Sequence, residues 1–568
     1  MCNQYMTCLR EGTSNFQRKL CLSVIFVFLW GHSLWGLTAS DNDRTDLSLL
    51  LGAGRFYAEG ILGQGASAAV IEGGLVWNGD ASTSHVTHQF AHPDTWSGEF
   101  GDLRDLSDRH ATWSGSLLGG RGSTPERVGM APMVDLFSGA TATRWVGTSY
   151  TSSWAQTATT VDAAYRYFTE SVPVDVISSS WGFSDGAAQS SVTIGIDALA
   201  YENPGTLHLA AAGNSGFSSN SVVSPASGMN VFSVGGLGYS GGLYDVRWQF
   251  SSRGLSNYSD PVNGLVSGVR TSVDLLAPAQ NLSALRYGGA TGGNNPTLAG
   301  SIDVSTRDSS GLFGTSFSTP IVAGAAALLY SLSREKMPTN GESRDARVIK
   351  AVLLNSADKL QGWDAALTFE DGLVWTTRQG LDAAQGAGRL NLEDGYDQYA
   401  PSPSTQTGIS GTGAPLSLLP SSGWDLGNLE RGSSFFYELA DIVYVDSWLT
   451  GTLVWYRERR SVNGSTEDLK QANLDLLLWR ADAETGGQEL VGQSISVYNL
   501  VEHLDLELSQ TGRYWFEVRY EGDTFALLGA SDSETFALAW DLQMVPERSN
   551  FALVFGLAGV LLALTRRR

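Results

Sequence analysis

Cysteine is almost missing from this chain: its 568 residues hold three, Cys2, Cys8 and Cys21, all within the first 21. The rest therefore has no thiol nucleophile, no thiolate metal ligand and no disulfide framework, so its stability rests on packing. Positive charge is scarce too. Lys and Arg number 36 against 58 Asp and Glu, giving −22 with no basic run in the interior. Nucleic acid and anionic membrane surfaces would be repelled across a Debye length, which excludes them as partners of the folded body. Proline is rare (16) beside glycine (66), and 42% of residues are hydrophobic, a balance that excludes disorder and fits many tight turns. No EF-hand loop occurs. His85, His88 and His92 lie in a polar loop without a Cys or HExxH context, so no metal is assigned.

What is present begins with the two ends. Arg10, Arg18 and Lys19 precede the apolar run Leu20–Ala39, then "TAS" and charged "DNDRTD". This reads as a secretory signal over residues 1–40 that would carry away all three cysteines, with an uncleaved anchor as the alternative. At the other end, "VPERSNFALVFGLAGVLLALTRRR" joins a Pro-Glu turn to an apolar helix, Phe551–Thr565, and three arginines. Its length is marginal for a bilayer span, although flanking arginines can snorkel. The segment 545–568 resembles the bacterial PEP-CTERM sorting tail, with "VPER" for the usual "VPEP". That resemblance implies export in a Gram-negative-type cell, residence in the envelope or outside it, and cleavage near Pro546 by an exosortase. The departure at Arg548 leaves a permanent tail anchor open.

Between these ends the length calls for two or more domains. Continuous apolar runs at "SAAVIE" (67–72), "VDVISSSW" (174–181), "TLHLAAAGN" (206–214) and "NVFSVGGL" (230–237) fit strands of a parallel sheet covered on both faces, hence an α/β class. Helical spacing marks 344–358. Residues 400–423 are rich in Pro, Ser, Thr and Gly and read as a linker. Beyond them, alternating aromatic and polar residues in "DSWLTGTLVWYRE", "NLDLLLWRA", "LDLELS", "GRYWFEVRY" and "TFALAWDL" predict an all-β sandwich over 424–544. Its Trp and Tyr residues fit a core or a glycan platform.

The chemistry centres on "GTSFSTP" (314–320), ahead of "IVAGAAALLYSL". Ser316 reads either as a polar residue opening a buried helix or as a nucleophile. Pro320 is expected within a first helical turn, which would set Ser316 at the helix start, where free N–H groups favour developing negative charge. A serine nucleophile needs a base and a third group to orient it. His110 opens the helix-like "HATWSGSLLGG", whereas His208 sits inside a strand run and reads as a core residue.

At this point the chain resembles a subtilisin-type serine peptidase, a subtilase, over about residues 50–395, within a domain drawn at 41–399. "GTSFSTPIVAGAAALL" is similar to the family's GTSxAxPxVAG, and "AAAGNSG" (210–216) to the block carrying the oxyanion asparagine. "VISSSWG" (176–182) resembles the substrate-binding segment, "GMAPMVDLF" (129–137) the GxAPxAxL strand, and "VDLLAPA" (273–279) the APG region. "HATWSG" departs from HGTxVAG at Ala111.

The resemblance implies acyl transfer with His110 as base, Ser316 as nucleophile, Asn214 in the oxyanion hole, and Ser180, Trp181 and Gly182 along the substrate. It allows calcium without placing it, and implies protein or peptide substrates. The acid departs from the family. Glu72 stands where aspartate is usual, and would serve if the backbone at Gly73 and Gly74 retreats by about 1.5 Å, one methylene. Asp80, Asp94 and Asp108 are the rivals. A catalytically inactive envelope protein binding peptides or glycans is the alternative function. About 30 residues between signal and Glu72 leave little room for a folded propeptide.

Overall fold

The four apolar runs all become strands, and the reason is burial on both faces. The computed structural model describes residues 47–86, 88–91, 107–122, 128–145, 154–285, 287, 311–400, 418–462, 465–482 and 486–544. The signal and tail segments, Asp94, His92 and residues 401–417 of the linker lie outside these. A seven-stranded parallel sheet runs β7-β6-β5-β4-β1-β3-β2, where β1 is Ser67–Glu72, β2 His88–Ala91, β3 Asp135–Ala140, β4 Val176–Ser179, β5 Leu207–Ala211, β6 Phe232–Ser240 and β7 Leu275–Pro278. Strand Leu243–Arg247 folds back on β6.

Helices cover both faces: α1 (Arg109–Gly119), α2 (Ala158–Arg166), α3 (Ser191–Glu202), α4 (Thr315–Lys336), α5 (Ala346–Asn355) and α6 (Leu392–Tyr399). Among the described residues α4 alone has the length and apolarity of a membrane span, yet its most apolar stretch is 94% buried, so it is a core helix. Small residues make that depth possible. A Cβ at Gly324 would meet Met130 Cβ at 2.6 Å and the Leu118 carbonyl at 3.0 Å, so glycine lets α4 lie against the end of α1.

The C-terminal part is a two-sheet β-sandwich. One sheet pairs β10 (Ser422–Glu430), β18 (Ser533–Gln543), β12 (Trp448–Trp455) and β16 (Val501–Glu507). The other is built on β14 (Ser465–Asp482) and β17 (Gly512–Ala526), flanked by β11 (Ser434–Leu439), β13 (Glu458–Val462) and β15 (Gln488–Ser494). Leu453, Trp455, Leu476, Phe516, Leu538 and Trp540 fill the space between them, so these aromatic residues form a core, while Trp448 is exposed and Trp479 and Trp515 are half-buried.

Two boundaries differ from the sequence reading. The edge drawn at 423/424 falls inside β10. In addition, the hairpin β8 (Thr368–Glu370) and β9 (Val374–Thr377), far upstream of the linker, joins the second sheet through β9 and β15. The sandwich packs on α3 and α5. Asp197 of α3 is fully buried, accepts the N–H groups of Met229 and Asn230, and pairs with buried Arg459 of β13 at 2.6 Å.

Candidate active site

Glu72 ends β1 with its side chain fully buried. Sheet pairing continues past it: the Thr141 and Ala142 N–H groups donate to the Glu72 and Gly73 carbonyls at 2.9 and 3.0 Å, so no break in the sheet marks a retreat there. Three donors converge on the carboxylate. His110 Nδ1 lies 3.1 Å from Oε2, while Ser114 Oγ (3.3 Å) and the Ser180 N–H (3.1 Å) donate to Oε1. His110 and Ser114 are one helical turn apart on α1, so one helix face presents both to the acid.

His110 stands in the first turn of α1 because Asp108 caps that helix, accepting the Ala111 N–H at 3.2 Å. Burial pushes the imidazole pKa down, but the attraction and hydrogen bond of Glu72, with a further contribution from Asp108, outweigh it and hold the pKa above the ordinary histidine value. The rival acids are placed elsewhere. Asp108 is spent on the cap, and burial pushes its carboxyl up to about 7, against the pull of His110. Asp80 accepts the Ser82 N–H and hydroxyl in a local turn.

Ser316 is the second residue of α4, but Pro320 is its sixth, beyond the first turn expected from the sequence. The site shows how that interior proline is accommodated. Without a proline N–H, the Ser316 carbonyl lacks its usual partner four residues on, and Ser180 Oγ donates to it instead at 2.7 Å. Ser316 Oγ donates in turn to the Ser180 carbonyl at 3.1 Å. Ser180 thus touches both Glu72 and Ser316. Phe317 packs its ring 5.8 Å from His110 and 5.7 Å from Trp113, joining the start of α4 to α1. Among the described residues no hydrogen bond joins His110 to Ser316.

Asn214 follows β5 and is exposed. Thr315 fixes its orientation, donating both N–H and Oγ1 to Asn214 Oδ1 at 3.0 Å, which leaves the Nδ2 amide free to face the cleft. Gly314, at φ 138°, keeps that space open. A Cβ there would stand 3.5 Å from Asn214 Nδ2 and 3.8 Å from the Ser316 nitrogen, between two N–H donors. Phe217 and Phe313, three residues from Asn214 and Ser316, are 69% and 68% exposed and form an apolar border.

Of the proposed substrate segment, Ser180 turns its N–H and hydroxyl inward. The Trp181 indole is buried and donates to the Ile71 carbonyl at 3.0 Å, while Gly182 is exposed. A groove of about 550 Å³ opens beside 181–183, walled by Gln156, Val161 and Val192. His208 is the core residue its position suggested: buried, stacked on Tyr165, and held down to about 3 by burial. His85 is likewise held down to about 4, chiefly by burial.

Ser114 and Thr315 escaped the sequence reading. Their signals were local: Ser114 stands four residues after His110, and Thr315 directly before Ser316.

Residues 63–388 match the Subtilase family, Peptidase S8. Serine protease AprX of Bacillus subtilis is 30% identical over 195 residues, 31% of this chain and 38% of that protein. The serine protease/ABC transporter B family protein tagB of Dictyostelium discoideum is 25% identical over 239 residues, 38% of this chain and 12% of that protein. The chain therefore spans well under half the length of either relative. Among solved structures, the serine protease of Aeromonas sobria has a TM-score of 0.44 at 13% identity, covering 86% of this chain and 89% of its own. The prenylagaramide maturation protease PagA has 0.42 at 21%, covering 62% and 99%. The family match takes in more than half of the 568 residues and contains the buried acid, the histidine, the asparagine and the serine together, so the chain belongs to the subtilase family of serine peptidases.

Proposed function

We propose that the protein is a serine endopeptidase whose triad is Ser316, His110 and Glu72, with glutamate in the aspartate's role. The observation that carries this is the buried Glu72 carboxylate bonded to His110 Nδ1, with Ser180 linking the same carboxylate to Ser316. Glu72 holds the imidazole in the tautomer with its proton on Nδ1 and stabilises the imidazolium that forms. Ser316 Oγ turns from the Ser180 carbonyl toward His110 Nε2, gives up its proton there and attacks the peptide carbonyl. The oxyanion enters the space left by Gly314 and takes bonds from Asn214 Nδ2 and the Ser316 N–H. His110 then protonates the leaving amine, and water completes hydrolysis. An extended polypeptide pairs along Ser180–Gly182, with its upstream side chains in the adjoining groove and the leaving segment against Phe217 and Phe313.

The same proposal covers the ends of the chain. The N-terminal segment directs export, and the 545–568 tail is read by an exosortase-type enzyme in a Gram-negative-type envelope. Terminal mass analysis of the protein from its host checks this, with ends near residues 40 and 546 expected.

The test of activity is digestion of an unfolded protein with fragments mapped by mass. Wild type should cut it and Ser316→Ala should not. Peptide binding without cleavage by folded wild type would favour the inactive, binding-only reading.

A further inference from the structure

The groove beside 181–183 does not end there. A second compartment of about 470 Å³ continues from it along the furrow between α2 and α3, and the two share Ala158, Val161 and Val192 as wall residues. The far end is closed by the sandwich: Ser461 of β13 with Ser465 and Thr466 of β14 line it. That closure is bonded in place, because Arg166 Nη2 donates to Ser461 Oγ at 3.0 Å and the Ser461 N–H donates to Glu202 at 2.8 Å.

Gly195 is an independent sign that the furrow is kept open. It sits within α3, where glycine weakens a helix relative to alanine, and nothing lies within 4 Å of where its Cβ would be. No packing constraint accounts for a glycine at this position. Its effect is a deeper furrow floor between Val192 and Leu199.

We propose that the α2/α3 furrow binds the upstream part of the substrate polypeptide, so that the β13–β14 hairpin of the sandwich takes part in substrate selection. This rests on the peptidase reading above. From Ser191 to Leu199, α3 spans about 12 Å at ~1.5 Å per residue, room for about four residues of extended chain at ~3.3 Å each. The occupant is an extended segment beyond the residues seated in the first compartment. Its charge preference follows from the rim. Arg166 is already engaged by Asp162, Glu170 and Ser461, and Arg460, beside Glu202, is paired with Glu458, so four carboxylates stand against two guanidiniums and neutral or basic segments are favoured over acidic ones.

The test uses the full-length enzyme and peptides sharing one mapped cleavage site but extended four or eight residues upstream. The quantity read is the ratio of kcat/KM for the longer peptide to that for the shorter. Wild type should give a ratio of about ten, the scale of filling one small subsite. Gly195→Trp, which fills the furrow from α3, and Ser465→Trp, which fills it from the hairpin, should each bring the ratio close to one. Gly195→Ala should retain most of it, and thermal melting confirms that each variant is folded. A wild-type ratio near one, or a ratio that survives both tryptophans, overturns the furrow proposal alone. Failure of wild type to cleave any peptide overturns the peptidase reading and the furrow with it.

Discussion

Shortening the acid to the family's usual residue is the sharpest perturbation of this site. In Glu72→Asp the carboxylate retreats by about 1.5 Å. The contact with His110 Nδ1, now 3.1 Å, would open to roughly 4.6 Å on that retreat, past hydrogen-bond range. Loss of the group that sets the imidazole tautomer costs on the order of 10²–10⁴ in kcat. Ser114 supplies the internal control. Its 3.3 Å bond to Glu72 Oε1 is long for a charge-assisted contact, so its value lies near the lower end of the range, about 1.5 kcal/mol or tenfold in rate. Ser114→Ala should therefore lower kcat about tenfold in the parent with KM little changed. In Glu72→Asp, whose carboxylate no longer reaches Ser114, the same substitution should cost less than twofold. The assay is a double-mutant cycle on one peptide, with active enzyme counted by titration. Equal costs in both backgrounds, or a Glu72→Asp variant within threefold of the parent, would refute the reasoning that this site is built to the length of glutamate.

Other predictions rest on separate contacts. Because His110 is held above the ordinary value of about 6.5 and must be neutral to accept a proton, kcat/KM should rise with pH through a midpoint above that value; in Glu72→Gln, burial then dominates and the midpoint should move down. Asp108→Asn keeps a good cap and should leave activity within about threefold. It should also remove a stability loss: the folded-state pKa of Asp108, raised to about 7, lies above its unfolded value, so in the parent its contribution falls as pH rises between those two values, a trend denaturant titration at several pH values can follow. Gly314→Ala places a methyl among the oxyanion donors and should cut kcat by about 10² or more while substrate binding changes little. Asp197→Ala removes one of the two carboxylates on buried Arg459, leaving Asp468 at 3.1 Å, and strips the Met229 and Asn230 N–H groups of their acceptor, so it should destabilise the protein by about 1–3 kcal/mol, seen as a lowered midpoint in urea.

Much of this fold was legible because its strands are uniformly apolar. "SAAVIE" became β1 without a residue's difference, and the strands near 176, 207 and 232 lie within or overlap the runs read from sequence. The β8–β9 hairpin was missed although its signal is local. Asp371 and Gly372, with φ of 53° and 68°, open a three-residue loop, 371–373, between short strands, but sequence distance hid the hairpin's pairing with the sandwich. Ser316, His110 and Asn214 were singled out through their motifs, and the fold places them with Glu72 at the ends of β1, β5, α1 and α4. Pro320 misled in position because its consequence is tertiary: the carbonyl it leaves free is filled by Ser180, 136 residues away. Trp181 was read as part of a segment whose backbone pairs with substrate; that its indole turns inward to the Ile71 carbonyl is a detail only the assembled sheet reveals.

The central claim is that Ser316 is an activated nucleophile held in a working site with Glu72 and His110. A fluorophosphonate probe, followed by peptide mapping of the folded full-length protein, tests it most directly. The account predicts one covalent adduct, on Ser316, absent from Ser316→Ala and formed much more slowly in Glu72→Gln. Folded wild-type protein that stays unlabelled, or an adduct on another serine, would contradict it.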